Sequence, residues 1–86
     1  MSEWIPVTER LPIQEGEYLV TVNNIGGRPF RSIVRWANNL YNVDRYDFPF
    51  AKRKGWYYYD SEWGYCEETD VIAWMPLPEP YKESEE

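Results

Sequence analysis

Apolar and polar residues alternate at a period of two along much of this chain, and no stretch of about ten residues carries the 3.6-residue period of an amphipathic helix. The clearest run is Glu17-Tyr18-Leu19-Val20-Thr21-Val22-Asn23, in which Tyr18, Val20 and Val22 share one face. A second follows at Phe30-Arg31-Ser32-Ile33-Val34-Arg35-Trp36. Phe30, Ser32, Val34 and Trp36 fall on one side of it, and Arg31, Ile33 and Arg35 on the other. Leu40-Tyr41-Asn42-Val43 reads as a short third strand. Trp56-Tyr57-Tyr58-Tyr59 is a fourth, rich in residues that favour extended backbone. Asp70 to Met75 is the fifth, and Tyr65-Cys66-Glu67 extends the pattern briefly.

Punctuation between these runs is of the kind that turns a chain sharply. Gln14-Glu15-Gly16, Asn23 to Gly27, Ala37-Asn38-Asn39 and Asp60 to Gly64 are turn signals, and the Gly-rich second one suits a hairpin. Pro6 and Pro12 exclude a regular helix across the first dozen residues, leaving room for a single turn at Thr8-Glu9-Arg10. Pro76, Pro78 and Pro80 stop the last strand and impose an extended exit. Residues 44–55 have no clean period and read as an irregular loop with room for one helical turn. Together these runs predict a mainly β protein. Its sheet is small, antiparallel and five-stranded, rolled into a barrel or sandwich, with at most a short helical turn.

Size and composition sharpen that picture. Eighty-six residues make one small domain, expected over residues 1–81, with the acidic residues 82–86 as a solvated tail. A chain this short buries only a little over about 60% of the surface its unfolded form exposes. Aromatic rings offset that limit, because each removes roughly 150–250 Å² from water, and here they are 19% of the residues. There is no histidine and only one cysteine, Cys66, flanked by Glu67 and Glu68. That composition excludes a disulfide framework, a cysteine-cluster metal site and the His-dependent nucleophiles. Neighbouring carboxylates also make Cys66 a poor nucleophile. No secretory signal is recognised at Met1-Ser2-Glu3 and no apolar stretch approaches the roughly 20 residues that span a bilayer, so a cytoplasmic protein without membrane contact is expected.

Charge is uneven. The total is −6, yet residues 28–54 carry Arg28, Arg31, Arg35, Arg45, Lys52, Arg53 and Lys54 against only Asp44 and Asp47. The following stretch holds Asp60, Glu62, Glu67, Glu68 and Asp70. Such acids can imitate the phosphate spacing of DNA or meet a basic partner, but their spacing matches no twelve-residue calcium loop. The basic stretch interleaves cations with aromatic rings, the combination that holds a planar base and its phosphates. Candidate ligand- or partner-binding residues are therefore Arg31, Arg35, Trp36, Tyr46, Lys52, Arg53, Lys54, Trp56 and Trp63. The competing expectation is that the arginines pair with the many carboxylates while their stems cover aromatic faces.

The two ends of the chain carry a resemblance. Trp4-Ile5-Pro6-Val7, followed by Leu11-Pro12, Gly16 and Tyr18-Leu19-Val20, resembles the opening of the family known as domain of unknown function 551. The closing Trp74-Met75-Pro76-Leu77-Pro78-Glu79-Pro80 is similar to that family's ending, although Ala73 stands where the family usually carries His. The resemblance implies a phage- or prophage-related setting in a bacterial cytoplasm and supplies no catalytic residues. The chain is accordingly expected to be a non-catalytic accessory protein without cofactors that binds a host macromolecule, for example blocking a defence or nucleic-acid-processing protein. The alternative is a binder, possible also as a homo-oligomer, that sequesters a nucleotide-like anion with a base on Trp36 or Trp56 and phosphates on Arg31, Arg35 or Arg53. Matched residues at the two ends are expected to be structural, with Trp4 capping the core and Trp74 lying in the last strand.

Overall fold

Burial of the alternating apolar faces against one another organises the chain, seen in a computed structural model that describes residues 4–23, 26 and 28–77. Among the described residues six strands form a single antiparallel sheet: β1 (Ile5–Pro6), β2 (Gly16–Val22), β3 (Phe30–Ala37), β4 (Gly55–Asp60), β5 (Gly64–Glu68) and β6 (Val71–Pro76). One short helix, α1 (Leu40–Val43), lies between β3 and β4. The strands lie side by side in the order β1-β6-β2-β3-β4-β5. The chain thus begins and ends its sheet with adjacent strands, β1 against β6, with Ile5 opposite Trp74 and Pro6 opposite Ala73. The Trp74 indole N–H donates to the Arg10 carbonyl at 2.9 Å, and the Val7 amide donates to Ile72 O at 3.0 Å. Between them, Pro6 O accepts from the Glu9 and Arg10 amides, the single turn expected there.

The sheet is rolled about one face. Tyr18, Val20 and Val22 of β2, Val34 and Trp36 of β3, Trp56 of β4, and Val71 and Trp74 of β6 form the main core. In a flat sheet β4 and β6 would stand about 14 Å apart, three strand spacings of roughly 4.7–4.9 Å. The Trp56 and Trp74 ring centres are nevertheless 6.4 Å apart, and Tyr18, on β2, reaches both at 6.0 and 5.2 Å. The roll stops short of closure, since β1 and β5 pair with no further strand among the described residues.

The sequence pattern and the structure differ at Leu40–Val43, which is helical rather than extended. Four residues are too few to separate the two periods, and the local hydrogen bonds decide. The Asn39 side chain accepts from the Tyr41 amide at 3.2 Å and caps the turn. The Leu40 and Tyr41 amides donate to Arg53 and Ala51 carbonyls across the loop. Leu40 is fully buried with Ala37, Phe48 and Ala51 in a second cluster, against which Tyr57 and Tyr65 pack. α1 and residues 44–54 therefore cover one end of the sheet's outer face. The β5 and β1 pairings bring the strand count to six. The Asn23–Gly27 turn is described only at Asn23 and Gly26, and the acidic tail at 82–86 lies outside the described residues.

Gly55 is where α1 meets the sheet. A Cβ there would stand 2.6 Å from Leu40 Cδ1 and 3.2 Å from Glu67 Oε2. Gly55→Ala is expected to cost about 1–3 kcal/mol by overpacking and Leu40→Ala about 2–5 kcal/mol by leaving a cavity. The double variant should cost clearly less than the two together, because the second change removes the clash made by the first. Urea midpoints of the four proteins check this, and simple additivity would show that Leu40 and Gly55 do not touch.

Candidate functional site

The face of the sheet opposite the tryptophan core is where side chains with binding chemistry meet. Register places Glu17 opposite Arg35 and Arg35 opposite Tyr57, and continues Tyr57 to Glu67 and Tyr59 to Tyr65. All of these residues project from the outer face. All of them but Glu67, together with Ile33, border a concavity of ≈ 490 Å³, within the size range of ligand pockets. Tyr65 packs edge-on against Tyr57 and Tyr59, with ring centres 5.9 and 5.0 Å away. The Arg35 guanidinium lies 3.5 Å from the Glu17 carboxylate, with both side chains about half exposed. An ion pair this wet contributes at most about 1 kcal/mol, so it orients Arg35 more than it stabilises the fold.

Burial pushes the Tyr57 hydroxyl above its ordinary value, against a weaker opposing pull from Arg35. Burial does the same at Tyr58, assisted by Cys66. Both phenols hold their protons more tightly than usual, the reverse of an activated tyrosinate base.

Beyond the concavity, three exposed rings sit on backbone that is pinned. Tyr46, Phe50 and Trp63 are 89, 96 and 76% exposed. Asp44 Oδ1 accepts from the Tyr46 amide at 2.8 Å. Asp60 Oδ1 accepts from both Glu62 and Trp63 amides at 2.7 and 3.0 Å. The two turns are then tied together by Asp47, whose Oδ2 accepts from the Tyr65 amide at 3.0 Å. Gly64 makes that approach possible: its φ is +84°, and a Cβ would lie 2.8 Å from Asp47 Oδ2. Phe50 stands in the same loop, beside a hollow shared by Asp47, Tyr65, Arg53 and Glu67.

The residues singled out in the sequence are divided by this geometry. Arg31 and Arg35 lie on the outer face, and Tyr46 and Trp63 on the two turns that Asp47 ties together. Trp36 and Trp56 do not join them. Both are buried on the opposite face with ring centres 4.8 Å apart, and Trp36 Nε1 donates to Asn38 Oδ1. A pocket holding a base on either ring and phosphates on Arg31 or Arg35 is therefore not built, because neighbouring strand residues point to opposite faces. The basic run does not converge either. Lys52 lies 5.1 Å over the Tyr41 ring, and Arg53 is doubly bonded to Glu67 at 2.5 and 2.7 Å. Lys54 borders a separate hollow with Val7, Leu11 and Glu68. The Glu67 carboxylate holds the Arg53 guanidinium charged, above its ordinary value. Among the described residues no three His, Cys, Asp or Glu side chains converge as metal ligands, and no helix is long and apolar enough to cross a membrane.

Tyr57, Tyr59, Tyr65, Glu17 and Ile33 are the members of the site that sequence reasoning missed. The four aromatics at 56–59 alternate between both faces, so the pattern alone does not say which pair points inward. Comparison with known families matches residues 3–82 to the family described as protein of unknown function (DUF551). No curated protein and no solved structure matches the chain.

The raised Tyr57 sets an alkaline pH dependence. Its folded form holds the proton more tightly than the unfolded chain does. That share of stability is intact below about pH 10 and is lost as pH rises through the folded value. Tyr57→Phe should flatten the fall in urea midpoint between about pH 9 and about pH 11, though only in part, because Tyr58 acts in the same direction. Identical slopes for the two proteins would contradict this account.

Proposed function

We propose that this chain, which belongs to the DUF551 family of proteins of unknown function, acts without catalysis by binding a macromolecular partner through its outer face. The observation that carries the reading is the set of exposed rings, Tyr46, Phe50 and Trp63, held on hydrogen-bonded turns. Aromatic side chains dominate binding hot spots, and rings held in place before contact lose little further entropy on association. An isolated exposed ring calls for no explanation. Three on loops that Asp47 joins to Tyr65, itself a wall of the tyrosine-lined concavity, offer the kind of surface that a partner covers. The partner in this proposal is a host protein met in a bacterial cytoplasm, in the phage-related setting that the resemblance implies. The acidic residues do not support a DNA mimic as well, since Asp60 is used by its turn and Glu67 by Arg53.

A nucleotide-like anion is the second reading, and one observation favours it: Arg35 faces the same concavity as Tyr57, Tyr59 and Tyr65. Glu17 beside Arg35 offsets the charge that such a ligand would need, so the partner reading stands first.

The variant Tyr46→Ala/Phe50→Ala/Trp63→Ala should keep its unfolding midpoint nearly unchanged, since exposed rings contribute little to folding. Each ring that acts as a hot spot should cost about 2 kcal/mol or more of binding, on the order of thirtyfold. Parallel affinity capture from host lysate on wild-type and variant proteins reads this directly. A partner retained equally by both, or by neither, would sink the reading. For the second reading, nucleotides at about 100 times their dissociation constant should stabilise the fold by roughly 2.7 kcal/mol, and a flat panel would end it.

A further inference from the structure

Strands β3 and β4 part company halfway along their length. β3 pairs with β2 from Phe30 to Trp36, but with β4 only at Arg35, Trp36 and Ala37. β4 pairs with β5 from Trp56 to Asp60, while only Gly55, Trp56 and Tyr57 meet β3. Phe30–Val34 and Tyr58–Asp60 thus diverge from a fork at the Arg35/Tyr57 pair. The inward-facing backbone edges of both arms carry no ladder partner among the described residues. The ≈ 490 Å³ concavity lies in this fork, with Ile33, Val34 and Arg35 on one arm and Tyr57, Tyr58 and Tyr59 on the other.

Unpaired edges of this kind accept another strand, and proteins usually blunt them by keeping them short, twisting them away or covering them. Here the free edge of β3 is five residues long, about the length of a typical strand. Phe30 and Ile33 on it are exposed. A segment laid at the normal spacing of about 4.8 Å from β3 would enter the fork with its side chains alternating between the two faces.

Charge selects the occupant. Arg31 faces outward with Thr21 as its registered neighbour, and no carboxylate among the described residues pairs with it. Arg28, just before the strand, is exposed and likewise has no carboxylate partner among the described residues. A second copy pairing antiparallel through the same free edge, Phe30–Val34, would centre on Ser32 and set each Arg31 opposite an Ile33, so neither arginine would gain a carboxylate. A strand bearing Asp or Glu meets the opposite situation. The geometry points to the β3–β4 fork as a strand-addition site for an extended acidic segment of a partner protein, with a carboxylate on Arg31 and an apolar side chain between Ile33 and Tyr59. This rests on the reading of the outer face as a partner-binding surface, and adds the mode of binding and the chemistry of what binds.

A random dodecapeptide library displayed on yeast, selected on the immobilised full chain, tests it. Selection should enrich peptides in which Asp or Glu alternates with apolar residues. A synthetic peptide of that consensus should slow amide hydrogen exchange at least about tenfold in Phe30–Val34 and Tyr58–Asp60. Arg31→Glu, at an exposed position that leaves the fold intact, should weaken the peptide at least about tenfold, and Arg31→Lys much less. Enrichment of no such pattern overturns the inference, as does a consensus peptide indifferent to Arg31→Glu. Protection confined to the turns around Tyr46 and Trp63 overturns strand addition while leaving the partner-binding reading in place. Sedimentation showing a dimer that Arg31→Glu alters would also overturn it, by making a second copy the occupant.

Discussion

Three tryptophans from three strands pack inside one rolled sheet, and the rest of the molecule follows from that contact. Trp36, Trp56 and Trp74 stand on β3, β4 and β6, with Tyr18 wedged edge-on between the latter two. A chain of this size buries a limited share of its surface, so each core position must remove much of it from water. Large rings solve the problem by reaching across the roll, so that one sheet serves as both walls. Edge-to-face contacts at these centroid separations add about 0.5–1.5 kcal/mol per pair beyond the burial itself.

The roll in turn explains the clasp at the chain's ends. Drawing β6 towards β4 leaves the flank of Trp74 to be covered. β1 and the turn after it do this, with the Arg10 carbonyl receiving the indole N–H. The same curvature gives the sheet an inside and an outside of very different character. Inside, among the described residues, no buried side-chain polar atom lacks a partner. Outside, the β4–β5 hairpin swings off β3 and is held by Asp47 against the loop that follows α1. The outer concavity and the exposed rings around it are thus consequences of how the inner face is filled.

Legibility in the sequence varied with the length of the pattern. β2 and β3 were readable because seven or eight alternating residues leave a single choice of face. Leu40–Val43 was not, since four residues fit either period and the deciding bonds come from Asn39, Ala51 and Arg53. β1 is two residues long and exists only because β6 lies beside it. In the site, the outward placement of Arg31 and Arg35 was legible from alternation. The inward burial of Trp56 was not, because Tyr57 beside it is an equally good core residue.

Alternation, turn chemistry and the lack of histidine were sufficient to establish a mainly β chain, its longest strands and the absence of His-based chemistry, since these depend on residue type and near neighbours alone. The resemblance carried by the Trp–Pro segments was legible at the same level and agrees with the family match. Tertiary structure decided which aromatics are core and which are surface, which cations are already paired, and where β3 and β4 separate. Those outcomes depend on contacts between residues far apart in the chain, such as Arg53 with Glu67 and Asp47 with Tyr65. Local pattern does not encode such contacts, because they come into being only when the sheet curls around its tryptophans.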